Sequence, residues 1–113
     1  MMSTISTFKP NRILSAANAA DLIDWICFTL DSGAKILLID LGNVPFMDST
    51  GLGSLVTALK MVQHAQGRLA LCSLTGQTQM LFEISGMGDA FEIYEDASQF
   101  QQALAAPILC PDT

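Results

Sequence analysis

Positive charge is scarce in this chain, and beyond Arg68 it is missing altogether. Five Lys and Arg stand against eleven Asp and Glu, giving a formal net charge of −6 over 113 residues. Glu83, Asp89, Glu92, Glu95, Asp96 and Asp112 all fall in the stretch without a cation. That part of the surface repels phosphate backbones, so direct nucleic-acid binding is not expected. It serves either as a solvated face or as a field that steers a basic protein partner. Long apolar runs are lacking too. Half the residues are apolar, yet no run approaches the ~18 needed to cross a bilayer, and no membrane insertion is expected. Met1 to Pro10 holds Ser and Thr rather than a basic segment followed by a long apolar one, which points to a cytoplasmic protein without a secretory signal.

Sparse reactive side chains exclude further classes. Cys27, Cys72 and Cys110 are odd in number and far apart, which argues against a disulfide framework and against a zinc site. Cys27 and Cys72 read as packing residues, while Cys110 lies in the tail. His64 is the single histidine, so no His-rich metal cluster can form. It also lies about 22 Å along a helix from Ser49, too far to act as its base. Asp40 and Asp48 share no evident substrate pocket. No metal, cofactor or enzymatic activity is expected.

What is present is an alternation of strand-like and helix-like segments. Ile5 to Phe8 and Ile13 to Ser15 are short strand candidates around the turn at Pro10-Asn11. A helix is expected from about Ala17 to Asp31, then a strand over Lys35 to Leu41 and a helix from Ser49 to Gln66 that stops at Gly67. Strand Leu69 to Leu74, helix Gln77 to Ser85, a turn at Gly86 to Gly88, strand Phe91 to Tyr94 and helix Ala97 to Ala106 complete the order. A chain of this length forms one core, here residues 1–106, followed by a frayed tail over 107–113. The pattern calls for an α/β fold in which helices pack on a mainly parallel sheet. Trp25 and Phe28, beside the Ile23, Ile26 and Leu30 stripe of the first helix, read either as packing or as a surface for a homodimer or larger assembly.

The junction Phe46-Met47-Asp48-Ser49-Thr50-Gly51-Leu52-Gly53 carries the functional signal. It joins an apolar strand to an amphipathic helix, where backbone N–H groups lack partners and the helix dipole favours negative charge. Three readings compete. Ser49 or Thr50 is a simple N-cap. The glycines form a nucleotide cradle, although the third glycine of the dinucleotide fingerprint and the Gly-Lys-Ser/Thr of a P-loop are both missing. Or Ser49 is a phosphoacceptor that gains about −1.5 to −2 charges when modified.

The stretch Leu38 to Gly53 resembles the central motif of STAS domains of the bacterial anti-sigma factor antagonist type. Ala16 to Leu22, Gly67 to Leu71 and Ser85 to Ile93 resemble that family's first helix entry, fourth strand and late turn with last strand. The resemblance implies a small mixed, mainly parallel sheet with helices largely on one side. It further implies phosphorylation of Ser49 by an anti-sigma factor that is also a serine kinase, with a phosphatase resetting the switch. Unphosphorylated protein would sequester the kinase and so free a sigma factor for transcription. The implied partner-binding residues are Asp48, Ser49, Thr50, Gly51, Leu52 and Gly53. Asp48 would orient the loop, Thr50 would support the helix, and Gly51 and Gly53 would allow close approach of the partner. Ser15 belongs with them, since it stands where the family carries an acidic residue near this loop. The alternative is a non-switching STAS subunit of a transporter or multiprotein signalling assembly.

Overall fold

Alternation along the strands decides which side of the sheet each residue serves. In Ile36-Leu-Leu-Ile-Asp40, Leu37 and Ile39 enter one buried cluster while Ile36 and Leu38 join a second on the opposite face. In Arg68-Leu-Ala-Leu-Cys72, Leu69 and Leu71 oppose Ala70 and Cys72 in the same way. Strands covered on both faces read as continuous apolar runs, which is the pattern seen here. The computed structural model describes residues 5–105. In chain order these form β1 (Ile5–Phe8), α1 (Ala19–Asp31), β2 (Ile36–Asp40), α2 (Ser49–His64), β3 (Arg68–Cys72) and α3 (Gly76–Ser85). A 3-10 turn (Met87–Ala90), β4 (Glu92–Tyr94) and α4 (Ala97–Ala105) follow.

The sheet runs β1-β2-β3-β4, and every pairing among the described residues is parallel. An order that never reverses, joined by crossovers of one hand, puts each crossover helix on the same face. Accordingly Leu22 and Ile26 of α1, Leu55, Ala58 and Val62 of α2, and Phe82 of α3 share one core with Leu37, Ile39 and Leu71 of the sheet. No crossover constrains α4, and it packs on the other face. There Phe100 is fully buried among Leu38, Ala70 and Cys72. Its ring lies 5.1 Å from that of Tyr94 and 5.6 Å from the Arg68 guanidinium carbon. Arg68 in turn forks onto Glu92 through Nε (2.9 Å to Oε2) and Nη2 (2.7 Å to Oε1). The Arg68 fork holds the Glu92 carboxyl below its ordinary range, against the opposing effect of burial.

Some sequence expectations change. Ile13 to Ser15 is not a strand: only Leu14 pairs, in a one-residue parallel bridge to Met47. Trp25 and Phe28 separate, because Trp25 is partly buried, stacking on Phe8 at 5.1 Å against the core, whereas Phe28 is 73% exposed. Cys27 is exposed rather than packed. The expected tail and Cys110 lie outside the described residues.

The end of α2 also differs. The helix closes at His64, and the left-handed residue after it is Gln66 (φ 63) rather than Gly67. Gly67 is required for another reason: a Cβ there would lie 2.9 Å from the Lys35 carbonyl oxygen. A non-glycine residue in the left-handed region costs roughly 1–2 kcal/mol. Gln66→Gly should therefore stabilise the domain by about 1 kcal/mol once the extra chain entropy of glycine is deducted. Thermal unfolding would register this as a rise in Tm of about 4–8 °C, and an unchanged or lower Tm would contradict it.

Candidate functional site: the loop before the second helix

Three loops meet at the carboxyl end of the sheet, following β1, β2 and β3. Leu14 of the first loop bridges Met47 of the second. Its N–H donates to the Phe46 carbonyl (3.0 Å), and its own carbonyl accepts from the Asp48 N–H (3.2 Å). The other edge of Met47 faces α3. There the Met47 N–H donates to Gln77 Oε1 (2.8 Å), and Gln77 Nε2 donates to the Met47 carbonyl (2.9 Å). With its side chain fully buried, Met47 is thus fixed on both backbone edges and from below.

The chain then turns into α2. Asp48 is extended (φ −98, ψ −177), and its carboxylate accepts from the Gly51 N–H at 2.8 Å while its carbonyl accepts from the Leu52 N–H at 2.9 Å. Asp48 is therefore the N-cap, in place of the expected Ser49 or Thr50. All three residue types can cap. The choice falls on Asp48 because the Leu14 bridge holds that residue extended, and an N-cap must be the last extended residue before the helix.

This assignment frees the hydroxyls. Ser49 and Thr50 are the first two helical residues, both exposed, and neither hydroxyl takes part in a hydrogen bond among the described residues. The later hydroxyls of the same helix behave differently. Ser54 is buried and donates to the Gly51 carbonyl at 2.6 Å, and Thr57 donates to the Gly53 carbonyl at 3.1 Å. Half-exposed Ile13 (47%) and Phe46 (44%) each directly precede a residue of the Leu14–Met47 bridge and lend the surface an apolar border.

The remaining predicted site residues divide between interior and surface. Gly51 and Leu52 are buried. A Cβ on Gly51 would fall 2.2 Å from the Leu14 carbonyl oxygen, so this glycine permits contact between two parts of the chain, not the expected approach of a partner. Gly53 is exposed and meets nothing within 4 Å. Ser15 follows the bridge and is partly buried. Its N–H donates to Asn18 Oδ1 (2.9 Å) and its Oγ accepts from the Ala17 N–H (3.3 Å), so its polar groups serve the turn that opens α1.

The nucleotide-cradle reading fails on the same geometry. The Asp48 carboxylate occupies the helix N-terminus, placing negative charge where a bound phosphate would have to sit. Among the described residues no cluster of three His, Cys, Asp or Glu side chains could hold a metal ion. A cavity of about 410 Å³ lies elsewhere, between α3 and β4, lined by Phe82, Glu83, Ile93 and Glu95 among others.

Residues 3–99 match the STAS domain family. The chain belongs to that family. Over 96 residues, covering 81% of this STAS chain and 83% of the relative, it is 30% identical to BtrV of Bordetella bronchiseptica, provisionally named an anti-sigma factor antagonist. It is 47% identical over 58 residues to the anti-sigma-B factor antagonist of Listeria monocytogenes, a match spanning 51% of each chain. The structure of the anti-sigma factor antagonist SpoIIAA in its unphosphorylated form has the same fold, with a TM-score of 0.71 at 14% identity over 96% of each chain. So does a sulfate transporter family protein from Wolinella succinogenes (TM-score 0.79, 13% identity, covering 95% of this chain and 93% of that one).

Sequence reasoning missed Gln77 as part of this STAS site. It lies 30 positions from Met47, and a glutamine in the first turn of a helix carries no spacing signal that distinguishes it from a solvated one.

Proposed function

We propose that this protein is an anti-sigma factor antagonist switched by phosphorylation of Ser49. Unphosphorylated, it binds an anti-sigma factor that is also a serine kinase, and the sigma factor is released to direct transcription. Phosphate on Ser49 places about −1.5 to −2 charges and added bulk on the contact surface and breaks the complex. A phosphatase restores the binding form. ATP enters only as the kinase's substrate, the protein itself catalyses nothing, and the exchange takes place in the cytoplasm.

One observation carries the reading: the helix cap is Asp48, so the adjacent exposed Ser49 hydroxyl has no structural duty and can be modified without unmaking the fold. The relatives' names support the antagonist part of the reading, and SpoIIAA, a protein of the same fold, has been solved in unphosphorylated and phosphorylated forms. The partner contact then consists of Ser49, Thr50 and Gly53 on the outside, with the Asp48 side chain behind them and Ile13 and Phe46 at the border. The likeness to a transporter family protein is one of fold alone.

Incubation with ATP and the cognate anti-sigma factor kinase, followed by mass spectrometry, tests the site. Wild type should carry one phosphate on Ser49 and Ser49→Ala none; label persisting on Ser49→Ala would refute the assignment. Ser49→Asp should weaken kinase binding by about 10- to 100-fold in calorimetry, or roughly 1.4–2.8 kcal/mol. Its stability should be unchanged or higher by a few tenths of a kcal/mol, because an acidic residue in the first helical turn suits the dipole. A non-switching subunit would show no label and no such separation.

A further inference from the structure

The phosphoacceptor loop is tied down from two sides, and the two ties differ in kind. Toward the β1 loop the tie is backbone to backbone, so side-chain substitution at Leu14 leaves its hydrogen-bonding groups in place. Toward α3 it is a single side chain. The Gln77 amide supplies one acceptor and one donor to the two groups of Met47, much as a neighbouring strand would. Gln77 is itself well anchored. It occupies the first turn of α3 between Thr75 and Thr78, where the Thr78 hydroxyl accepts from the Thr75 N–H (3.2 Å) and donates to the Thr75 carbonyl (2.7 Å). Thr78 is fully buried, which fixes that turn against the core. Met47 is followed directly by the capping Asp48 and then by Ser49, so whatever sets the Met47 backbone sets the starting direction of the helix and the placement of the Ser49 hydroxyl.

We propose that Gln77 is the positioning residue of this site: acting through Met47 from α3, it holds the Ser49 hydroxyl where a kinase can take it. The proposal rests on the reading of Ser49 as phosphoacceptor and adds a residue to it. Only an amide fits the role in full. Glutamate keeps an acceptor for the Met47 N–H but sets a carboxylate oxygen against the Met47 carbonyl. Methionine keeps the length and removes both bonds.

The test compares wild type with Gln77→Met and Gln77→Glu by two measurements. Amide hydrogen exchange followed by NMR should show the Met47 N–H exchanging about tenfold faster in Gln77→Met, with partial protection in Gln77→Glu and unchanged protection at Leu38 and Ala70 in the sheet. Phosphorylation by the cognate anti-sigma factor kinase should show kcat falling about tenfold in Gln77→Met and less in Gln77→Glu, with KM moving little, since the docking surface is intact and only the acceptor is misplaced. A general loss of fold would instead remove protection throughout the sheet. Wild-type exchange at Met47 in Gln77→Met overturns the clamp. A loosened Met47 with unaltered kcat overturns the positioning role and leaves Ser49 as acceptor. Wild type that takes up no phosphate overturns the Ser49 reading and the kinetic half of the proposal, while exchange at Met47 still decides the clamp.

Discussion

Gly51→Ala is expected to destabilise the domain by about 3 kcal/mol, at the upper end of the usual cost of overpacking. The added Cβ would lie 2.2 Å from the Leu14 carbonyl oxygen, 2.8 Å from its carbon and 2.9 Å from Met47 Cγ. Two of those atoms are backbone, so no rotamer change relieves the clash. Either α2 moves away from the β1 loop or the Leu14–Met47 bridge opens, and with it goes the bond from the Asp48 N–H to the Leu14 carbonyl. At about 4–8 °C per kcal/mol for a domain of this size, Tm should fall by about 12–24 °C. Gly53→Ala, two residues along the same helix, is the internal control. Nothing lies within 4 Å of its added Cβ, and replacing an exposed helical glycine by alanine should stabilise by about 0.5–1 kcal/mol. Thermal melts of the two variants should move in opposite directions; parallel shifts would contradict the close approach at Gly51.

Phe100→Ala is expected to cost about 3–5 kcal/mol, the range for emptying a buried aromatic site. The nine residues of α4 are too few to persist as an isolated helix in water. Packing holds α4 in place, and Phe100 is its fully buried anchor, touching the Tyr94 ring and lying beneath Arg68. Once that anchor is cut back, Leu38, Ala70 and Cys72 lose their cover on this face. The Cys72 thiol reports the loss directly. In the intact protein it is fully buried, and removal from water pushes its pKa up, so little thiolate forms. Native-state alkylation mapped by mass spectrometry should label exposed Cys27 in wild type and spare Cys72. In Phe100→Ala, Cys72 should label as well. Denaturant unfolding supplies the energy, and full stability with an unreactive Cys72 would show that α4 does not protect this face.

The order of elements was legible because it depends on local pattern. Leu52, Leu55, Val56 and Leu59 recur at helical spacing, and the apolar run ending at Leu41 has strand length. The motif Asp48 to Gly53 was equally plain, as was its place at the carboxyl end of a strand. What escaped was set by contacts between distant parts of the chain. Asp48, Ser49 and Thr50 are all competent caps, and a bridge from Leu14 decides among them. Gly51 looked like an open approach for a partner until Leu14 proved to lie against it. Gln77 looked like one more polar helix residue, since nothing near it in sequence points to Met47. Gly67 seemed the natural helix terminator, yet Gln66 takes the left-handed turn, and Gly67 is needed because the Lys35 carbonyl leaves no room for a side chain there.

On the proposed function, docking at the neighbouring hydroxyl would freeze no main chain, because both edges of the chain at Met47 are occupied beforehand. Ordering one residue costs roughly 1–2 kcal/mol, and a floppy segment would levy that charge at every encounter. Here it is settled once, during folding. On that reading arrival would proceed at the ordinary pace of rigid surfaces, about 10⁵–10⁷ M⁻¹s⁻¹, and differences between partners would lie mostly in residence time.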